Sequence, residues 1–478
     1  LVWSYSSGSN QGDLFAQRID QNCNTLWSIP EEGGIPIYEG VGVQESPRVT
    51  YYDENYSIIV WEDDQSGDDD IYAHFVNMDG TLVYPNPIAV STAVDRQYKP
   101  RVKANNLGAY VIWYDLRNNL GATPVNNDIY MQRLTVENGL EWDSALAVAS
   151  SDLSVDHTEA RLTVDASGNA FATWMDDRLI EGSYDISIQS VNNEGLLLLN
   201  SDQSSICSAF SRQENPIVRQ DGNGGAFVIW GDARLGSVGI YSQHLSSNGI
   251  TSLAVDGIQS FWGIDGNTVS SYANKPKSKY LGNNEAIVYW PDQRFGQELK
   301  NYGQKVYNGW NGLQNSDGYA LSNAQAQDYP ILENIGNDLM HVFPDISGEI
   351  KLKYDILNSD LSIVNDNSSL INPSSSSPHF YNSFDVESAS DGFYYVAFSE
   401  LEFFAAYNVF IQKFSEVGIS QFSNPIGIIQ DFSADENVRA IHDIDGEGLI
   451  VIYDSESFLT GRKVKAVAVD YNGNILSG

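Results

Sequence analysis

The fold of this chain is indicated by the run Ile58-Ile59-Val60-Trp61, in which three apolar residues precede a large aromatic residue. Four further strong copies follow: Tyr110-Val111-Ile112-Trp113, Phe171-Ala172-Thr173-Trp174, Phe227-Val228-Ile229-Trp230 and Ile287-Val288-Tyr289-Trp290. Weaker copies end at Trp3, Phe343, Phe398 and Tyr453. Successive aromatics lie 52 to 61 residues apart, so the whole chain is a repeat with a period near 56.

Each repeat divides into four short pieces with the composition of β-strands. A proline such as Pro47, Pro100 or Pro216 precedes most aromatics by 13 to 14 residues and predicts the start of strand one. The aromatic-ending run is strand two, and its continuous apolar character indicates burial on both faces. Strand three follows the pattern Asp-Ile-Tyr-x-Gln, as in residues 128–132, and a second turn leads to strand four. Four antiparallel strands at this period predict an all-β chain folded as a β-propeller.

The number of blades follows from the aromatic-ending runs, which predict nine four-stranded units. Eight blades with an extra terminal hairpin, or two smaller rings, are the alternatives, because the first unit lacks a strand one. We predict a single propeller over residues 1–478, with weaker motifs after a boundary near residue 320 as the alternative division. The predicted units are residues 1–40, 41–92, 93–152, 153–208, 209–270, 271–323, 324–373, 374–432 and 433–478.

Composition limits the classes of partner. The formal net charge is −37, and this argues against nucleic acid or an anionic membrane surface, both of which require clustered cations. With 42% hydrophobic and 12% aromatic residues, the chain has enough apolar material for a large core. No apolar run reaches the length of a membrane span, so we expect a mature soluble chain without direct membrane insertion. Cys23 and Cys207 fall in different repeats and predict no disulfide.

The repeat resembles that of secreted bacterial propellers with the motif Trp-x-Asp-x-Arg-x-Gly-x-x-Asp-Ile-Tyr-x-Gln, and more distantly that of TolB-type propellers. Residues 113–117 and 230–234 carry its Trp-x-Asp-x-Arg part, and residues 128–132 carry its Asp-Ile-Tyr-x-Gln part. Such propellers are often cargo of the type IX secretion route. The resemblance therefore implies a secreted or cell-surface protein, and it implies little about activity because propellers host many functions.

Four Asp-x-Arg pairs recur between strands two and three: Asp115 with Arg117, Asp176 with Arg178, Asp232 with Arg234 and Asp292 with Arg294. A catalytic site seldom needs one pair four times. We interpret each Arg as an anchor that ties its loop to the adjacent blade, and we interpret Trp61, Trp113, Trp174, Trp230 and Trp290 as buried equivalents between blades. An anion-binding collar is the alternative interpretation of the pairs.

One loop departs from this pattern because it carries five carboxylates in eight residues and no arginine. The carboxylates belong to Asp63, Asp64, Asp68, Asp69 and Asp70. Calcium prefers flexible oxygen ligands of this kind, so the loop is a candidate calcium site; a solvated acidic loop is the leading interpretation and weak calcium binding is the alternative. No other cofactor is predicted.

A second loop departs by replacing polar residues with aromatics. Phe403, Phe404 and Tyr407 either fold back onto the propeller or contact a partner protein or glycan. We predict them as candidate binding residues.

The start of strand one combines acidic and basic residues, for example Glu45, Arg48, Arg101 and Glu159, which suits a hydrated channel mouth. The chain contains no phosphate-binding loop, zinc motif or nucleophile elbow. The leading prediction is a surface interaction module that binds protein or polysaccharide through its loops. The alternative is a polysaccharide-active hydrolase or lyase whose paired carboxylates lie at the channel mouth.

Overall fold

The computed structural model describes the chain from residue 1 to residue 477 with gaps. The gaps are residues 8–9, 20–24, 28–33, 120–124, 151–154, 181–182, 201–203, 237, 262–275, 283–284, 293–297, 308–317, 326–329, 346–350, 365–368, 372–380, 403–405, 430–434, 445–447 and 458–460.

Within these residues the regular elements are β-strands, which form nine antiparallel sheets in chain order, here named blades 1 to 9. Blade 1 contains β1 (Val2–Ser7), β2 (Asn10–Ala16) and β3 (Ile35–Tyr38). Blade 2 contains β4 (Gln44–Tyr51), β5 (Tyr56–Asp63), β6 (Asp70–Asn77) and β7 (Ile88–Ser91). Blade 3 contains β8 (Gln97–Asn105), β9 (Gly108–Asp115), β10 (Asp128–Thr135), β11 (Gly139–Leu140) and β12 (Leu146–Ala149).

Blades 4 to 6 repeat the four-stranded order. Blade 4 contains β13 (His157–Val164), β14 (Ala170–Ile180), β15 (Ser183–Val191) and β16 (Ser205–Cys207). Blade 5 contains β17 (Gln213–Gln220), β18 (Ala226–Asp232), β19 (Gly239–Leu245) and β20 (Ile258–Phe261). Blade 6 contains β21 (Lys277–Gly282), β22 (Glu285–Asp292), β23 (Lys300–Tyr307) and β24 (Tyr319–Ala320).

Blades 7 to 9 have lost much of the sequence motif and keep the same order of strands. Blade 7 contains β25 (Ile331–Ile335), β26 (Asp338–Asp345), β27 (Lys351–Leu357) and β28 (Ser369–Leu370). Blade 8 contains β29 (Tyr381–Ser388), β30 (Tyr394–Glu402), β31 (Ala406–Phe414) and β32 (Ile426–Ile429). Blade 9 contains β33 (Asp435–Asp443), β34 (Leu449–Ser457), β35 (Gly461–Val469) and β36 (Ile475–Ser477).

The sheets form a nine-bladed β-propeller, which confirms the predicted fold class and the count of nine. In the described residues, seven blades have four strands, blade 1 has three because no described strand pairs with the inner edge of β1, and the fourth position of blade 3 is divided between β11 and β12. The first strands of blades 2 to 9, here named the inner strands, contact one another from β4 to β21 and from β25 to β33. The bond from Lys277 Nζ to the Pro330 carbonyl, at 2.9 Å, connects β21 with the start of β25.

Pro47, Pro100 and Pro216 lie inside their inner strands and not at the first residues, which corrects the expected strand start, whereas Pro276 and Pro330 directly precede β21 and β25. Strand β4 begins at Gln44, and its pairing with β5 shifts between Glu45 and Arg48, so Ser46 and Pro47 form a β-bulge. Ser46 has a φ of 51° there, and Lys99, Glu159 and Asn215 take similar values in the next three blades. A bulge tolerates proline because its residues leave the hydrogen-bonded ladder.

The core lies between blades, where each repeated tryptophan packs its own blade against the preceding one. Trp61 packs with Leu14 and Ile37 of blade 1, and Trp230 packs with Ile186 and Phe171 of blade 4. All five predicted tryptophans are buried, with at most 2% of their surface exposed. No helix in the described residues has the length and apolar character to span a membrane.

Candidate functional site

The two Asp-x-Arg pairs that the structure describes completely form closed hydrogen-bonded units. Arg117 donates from Nε to Oδ1 of Asp115 at 2.9 Å and from Nη2 to Oδ2 at 2.6 Å. Its guanidinium carbon lies 4.0 Å from the ring centre of Tyr130, and Nη2 also donates to Ser91 Oγ of blade 2 at 2.9 Å. Burial lowers the pKa of Arg117, but the bonds and charge of Asp115 outweigh it and raise that pKa.

Arg234 repeats this geometry in blade 5. It donates to both carboxylate oxygens of Asp232 and lies 4.1 Å from the ring centre of Tyr241. Nη2 also donates to the Cys207 sulfur of blade 4 at 2.9 Å and to the Asp256 carbonyl at 2.8 Å. Both arginines therefore connect their loop to the preceding blade through Nη2, and Nε and Nη2 are engaged within the protein.

The aspartates of these pairs also receive the indole N–H of the repeated tryptophan. Trp113 Nε1 donates to Asp115 Oδ2 at 2.8 Å, and Trp230 Nε1 donates to Asp232 Oδ2 at 2.9 Å. Buried indole groups require such a partner. The motif Trp-x-Asp-x-Arg is thus one structural unit in blades 3 and 5.

The other two pairs are described only in part. Asp176 is buried and accepts a hydrogen bond from Ser187 Oγ at 2.6 Å, while the side chain of Arg178 lies outside the described residues. Asp292 is buried, and Arg294 lies outside the described residues.

Each of three carboxylates in the acidic loop accepts hydrogen bonds from its own set of protein groups. Asp63 accepts from the Trp61 indole and the Gln65 amide, at 3.3 and 3.0 Å. Asp64 accepts from the Val43 amide at 2.6 Å, and Asp70 accepts from a serine hydroxyl at 2.6 Å. Burial raises the pKa of Asp63 and that of Asp70.

The remaining two carboxylates diverge. Asp69 pairs with Arg96 of the loop before β8, and the side chain of Asp68 is exposed. The structure describes this whole loop, and in the described residues no group of three acidic, histidine or cysteine side chains could hold a metal ion. Asp63, Asp64, Asp68, Asp69 and Asp70 therefore do not converge as a calcium site requires, because Arg96 supplies the cation that the loop itself lacks.

The aromatic loop is only partly described. Phe403 and Phe404 lie outside the described residues. Tyr407 is half-buried in β31, and its backbone N–H donates to Asp435 Oδ1 of blade 9 at 3.2 Å. Burial raises the pKa of Tyr407.

The inner strands present a different set of polar groups, here named the channel surface. Two positions of each inner strand point to the same side because they are two residues apart. The first is the residue that pairs with the one before the repeated aromatic, and the second lies two residues further on. The first position holds Arg48, Arg101, Arg161, Ile217, Lys277, Ile331, Asp385 and Ala440. The second holds Thr50, Lys103, Thr163, Arg219, Lys279, Glu333, Glu387 and His442. None of these 16 side chains is buried, whereas Val102, Leu162 and Val218, which lie between the two positions, are.

The charges on the channel surface are sorted by blade. The ten positions of blades 2 to 6 include seven cations and no acid, and they are here named the cationic arc: Arg48, Arg101, Lys103, Arg161, Arg219, Lys277 and Lys279. Blades 7 and 8 contribute the acidic arc: Glu333, Asp385 and Glu387. Lys279 Nζ binds Glu333 Oε1 at 2.5 Å where the two arcs meet.

Neighbouring charges shift the pKa of several residues in the two arcs. Arg101 is accessible to solvent, but the protein around it lowers its pKa by desolvation, and the positive charges of Arg161 and Arg48 lower that pKa further. In the acidic arc, burial raises the pKa of Asp385 and of Glu387, while His442 acts in the opposite direction on both. All these residues are visible in the sequence, but only the pairing of each inner strand with the second strand shows which of them lie on the same side of the sheet.

Similarity to known proteins was found only among solved structures: no protein-family model and no curated protein matches the chain. The propeller domain of the trilobed protease from Pyrococcus furiosus is 11% identical, with a TM-score of 0.35, covering 80% of this chain and 97% of that one. An endo-arabinase from Bacteroides thetaiotaomicron is 12% identical, with a TM-score of 0.31, covering 54% of this chain and 95% of that one. An α-L-arabinofuranosidase from Fusarium graminearum is 11% identical, with a TM-score of 0.33, covering 65% and 92%.

Proposed function

We propose that this protein is a secreted or cell-surface interaction protein that binds polysaccharide at its channel surface. One observation carries the proposal: the 16 side chains of the channel surface remain accessible to solvent on eight neighbouring strands. An accessible polar surface of this kind suits a chain of sugar rings.

The loops are less suited to that role. The sequence favoured them as binding elements, but the described Asp-x-Arg loops direct their donors into bonds with Asp115, Asp232 and the preceding blade. The acidic loop likewise engages four of its carboxylates within the protein. We therefore propose the channel surface in place of these loops.

The experiment compares two Thr→Trp variants for binding to a panel of soluble neutral and acidic polysaccharides. Thr163→Trp fills part of the channel surface, whereas Thr251→Trp adds the same bulk at an exposed position next to β19. We expect Thr163→Trp to reduce affinity at least tenfold and Thr251→Trp to leave it unchanged. Binding that is equal in both variants, or absent for every polysaccharide, contradicts the proposal.

Hydrolysis of the bound polysaccharide is the second candidate function, and the acidic arc favours it. Asp385 and Glu387 lie two residues apart on the same side of β29, so both side chains belong to the channel surface. Pairs of carboxylates about 5 to 9.5 Å apart serve glycoside hydrolysis, and one of them must hold its proton near neutral pH. The pKa of both groups is raised by burial, in the direction that a general acid requires.

Release of reducing ends from the polysaccharides that bind tests this second function. Glu387→Gln should lower the rate at least a hundredfold and keep the affinity, whereas Glu416→Gln, at an exposed turn, should change neither. Binding without any release of reducing ends leaves the protein as an interaction protein and rejects the hydrolase.

A further inference from the structure

The chemistry of the cationic arc identifies the class of sugar that the channel surface would bind. The chain has 63 acidic residues and 26 Lys and Arg, so most cations should find a carboxylate nearby. Arg161 does so through Glu159 at 2.6 Å, and Lys279 does so through Glu333.

Four members of the arc differ. Within the part of the chain that the structure describes, Arg48, Arg101, Lys103 and Arg219 form no ion pair. Arg48 and Arg219 each donate only to a backbone carbonyl, at 2.9 and 3.0 Å, and retain free guanidinium N–H groups. These cations come from three different blades and share one surface.

Free guanidinium groups that share one surface form a site for oxyanions. Arginine binds carboxylate and sulfate groups through two parallel hydrogen bonds, and walls of protein strengthen the attraction over that in open water. Desolvation lowers the pKa of Arg101 and of Arg219, so an anion there would restore the electrostatic stabilisation that the surrounding protein removes.

Hydroxyl groups alternate with cations along the second position of blades 2 to 5. The order is Thr50, Lys103, Thr163 and Arg219, and none of the four side chains is buried. A matching ligand combines acidic groups and hydroxyl groups along its length. A sugar chain has this pattern, and a run of acidic amino acids does not.

We propose that the cationic arc binds a short acidic oligosaccharide that carries carboxylate or sulfate groups. This inference rests on the proposed function, because it names the ligand class of the same surface. The ligand is short because a net charge of −37 repels a long polyanion from the outer surface. That repulsion is screened beyond about 8 Å at physiological ionic strength, so a ligand held within the arc is little affected by it.

The experiment measures the affinity of four six-unit probes by calorimetry: hexagalacturonate, sulfated maltohexaose, neutral maltohexaose and hexaglutamate. We expect at least one acidic sugar to bind at least tenfold more tightly than maltohexaose and hexaglutamate, with an affinity that falls as salt is added. Whichever acidic sugar binds more tightly identifies carboxylate or sulfate as the preferred group.

Two variants locate the binding. Arg101→Gln and Lys103→Gln should each weaken the acidic sugar about tenfold or more, as expected for loss of a charged hydrogen bond. Lys463→Gln, at an exposed position of β35, should leave the affinity unchanged. Thermal unfolding of each variant checks that it is folded.

The outcomes separate this inference from the proposed function. If maltohexaose binds as tightly as the acidic sugars and Thr163→Trp weakens all of them, the channel surface binds polysaccharide and the inference is wrong. If hexaglutamate binds most tightly, the inference is also wrong. If no sugar in this set or in the polysaccharide panel binds, the proposed function fails together with the inference.

Discussion

The guanidinium of Arg234 donates two hydrogen bonds to the carboxylate of Asp232, from Nε to Oδ1 at 3.0 Å and from Nη2 to Oδ2 at 2.6 Å. Asp232 is buried and also accepts the Trp230 indole N–H. The pair therefore joins the loop, the core tryptophan and the preceding blade in one unit, and it engages Nε and Nη2 of the arginine within the protein.

Replacing Arg234 should lower stability and leave ligand binding intact. Arg234→Gln leaves the Asp232 carboxylate buried without its cation, which costs about 1 to 3 kcal/mol because Arg234 itself is partly exposed. Chemical denaturation measures this cost. Arg48→Gln is the matched control, since Arg48 forms no ion pair in the described residues and should lose affinity while keeping its stability. The reverse pattern in these two variants would overturn the structural assignment of Arg234.

The buried tryptophans should be among the most costly residues to truncate. Trp230→Ala opens a cavity between blades 4 and 5 and should reduce the free energy of unfolding by about 3 to 5 kcal/mol. Phe210→Ala removes an aromatic ring that is 83% exposed and should change it by less than about 0.5 kcal/mol. Similar losses in both variants would show that Trp230 is not the core residue described here.

Calcium should have no effect through the acidic loop. Asp63, Asp64 and Asp70 accept hydrogen bonds from separate protein groups, and Asp69 pairs with Arg96. We therefore expect no change in Tm with about 1 mM Ca²⁺, a concentration near the dissociation constants of weak extracellular calcium sites. A rise in Tm that disappears in the variant Asp68→Asn with Asp69→Asn would show that the carboxylates do bind the ion.

His341 should make the protein less stable in acid. It is completely buried between Asn301 Nδ2, which lies 3.1 Å from its Nε2, and the Leu321 carbonyl, which lies 3.1 Å from its Nδ1. Burial lowers the pKa of His341 to about 3 from an ordinary 6.5. Below pH 6.5 the unfolded chain therefore binds a proton that the folded chain refuses.

This contribution to stability is complete above pH 6.5 and is lost as the pH falls toward 3. The expected slope is about 1.4 kcal/mol per pH unit, or about 2 kcal/mol between pH 6.5 and pH 5. Denaturation curves at several pH values should show that His341→Gln removes this share of the slope. An unchanged slope in His341→Gln would mean that His341 is protonated in the folded protein.

The sequence was sufficient to predict the fold because each copy of the aromatic-ending run predicts one blade. Even Phe343, Phe398 and Tyr453, whose units have lost most of the motif, lie in second strands equivalent to those of the tryptophans. The side chains that share a surface were harder to predict. Glu45 and Arg48 both seemed to belong to the channel mouth, but the bulge at Ser46 and Pro47 separates them.

The acidic loop shows a second limit of local pattern. Its missing arginine is replaced by Arg96, which lies 27 residues beyond Asp69 at the start of the next blade. Spacing within one repeat carries no sign of such a residue. Part of the sorting of cations was visible in principle, because Arg48, Arg101 and Lys277 directly follow a proline.

A structure of the protein in complex with an acidic hexasaccharide tests the central claim most directly. We predict that the sugar lies on the channel surface and that one of its acidic groups accepts hydrogen bonds from the Arg101 guanidinium within about 3 Å. A sugar bound at the loop around Tyr407, or on the outer strands with the Arg101 guanidinium uncontacted, would contradict the account.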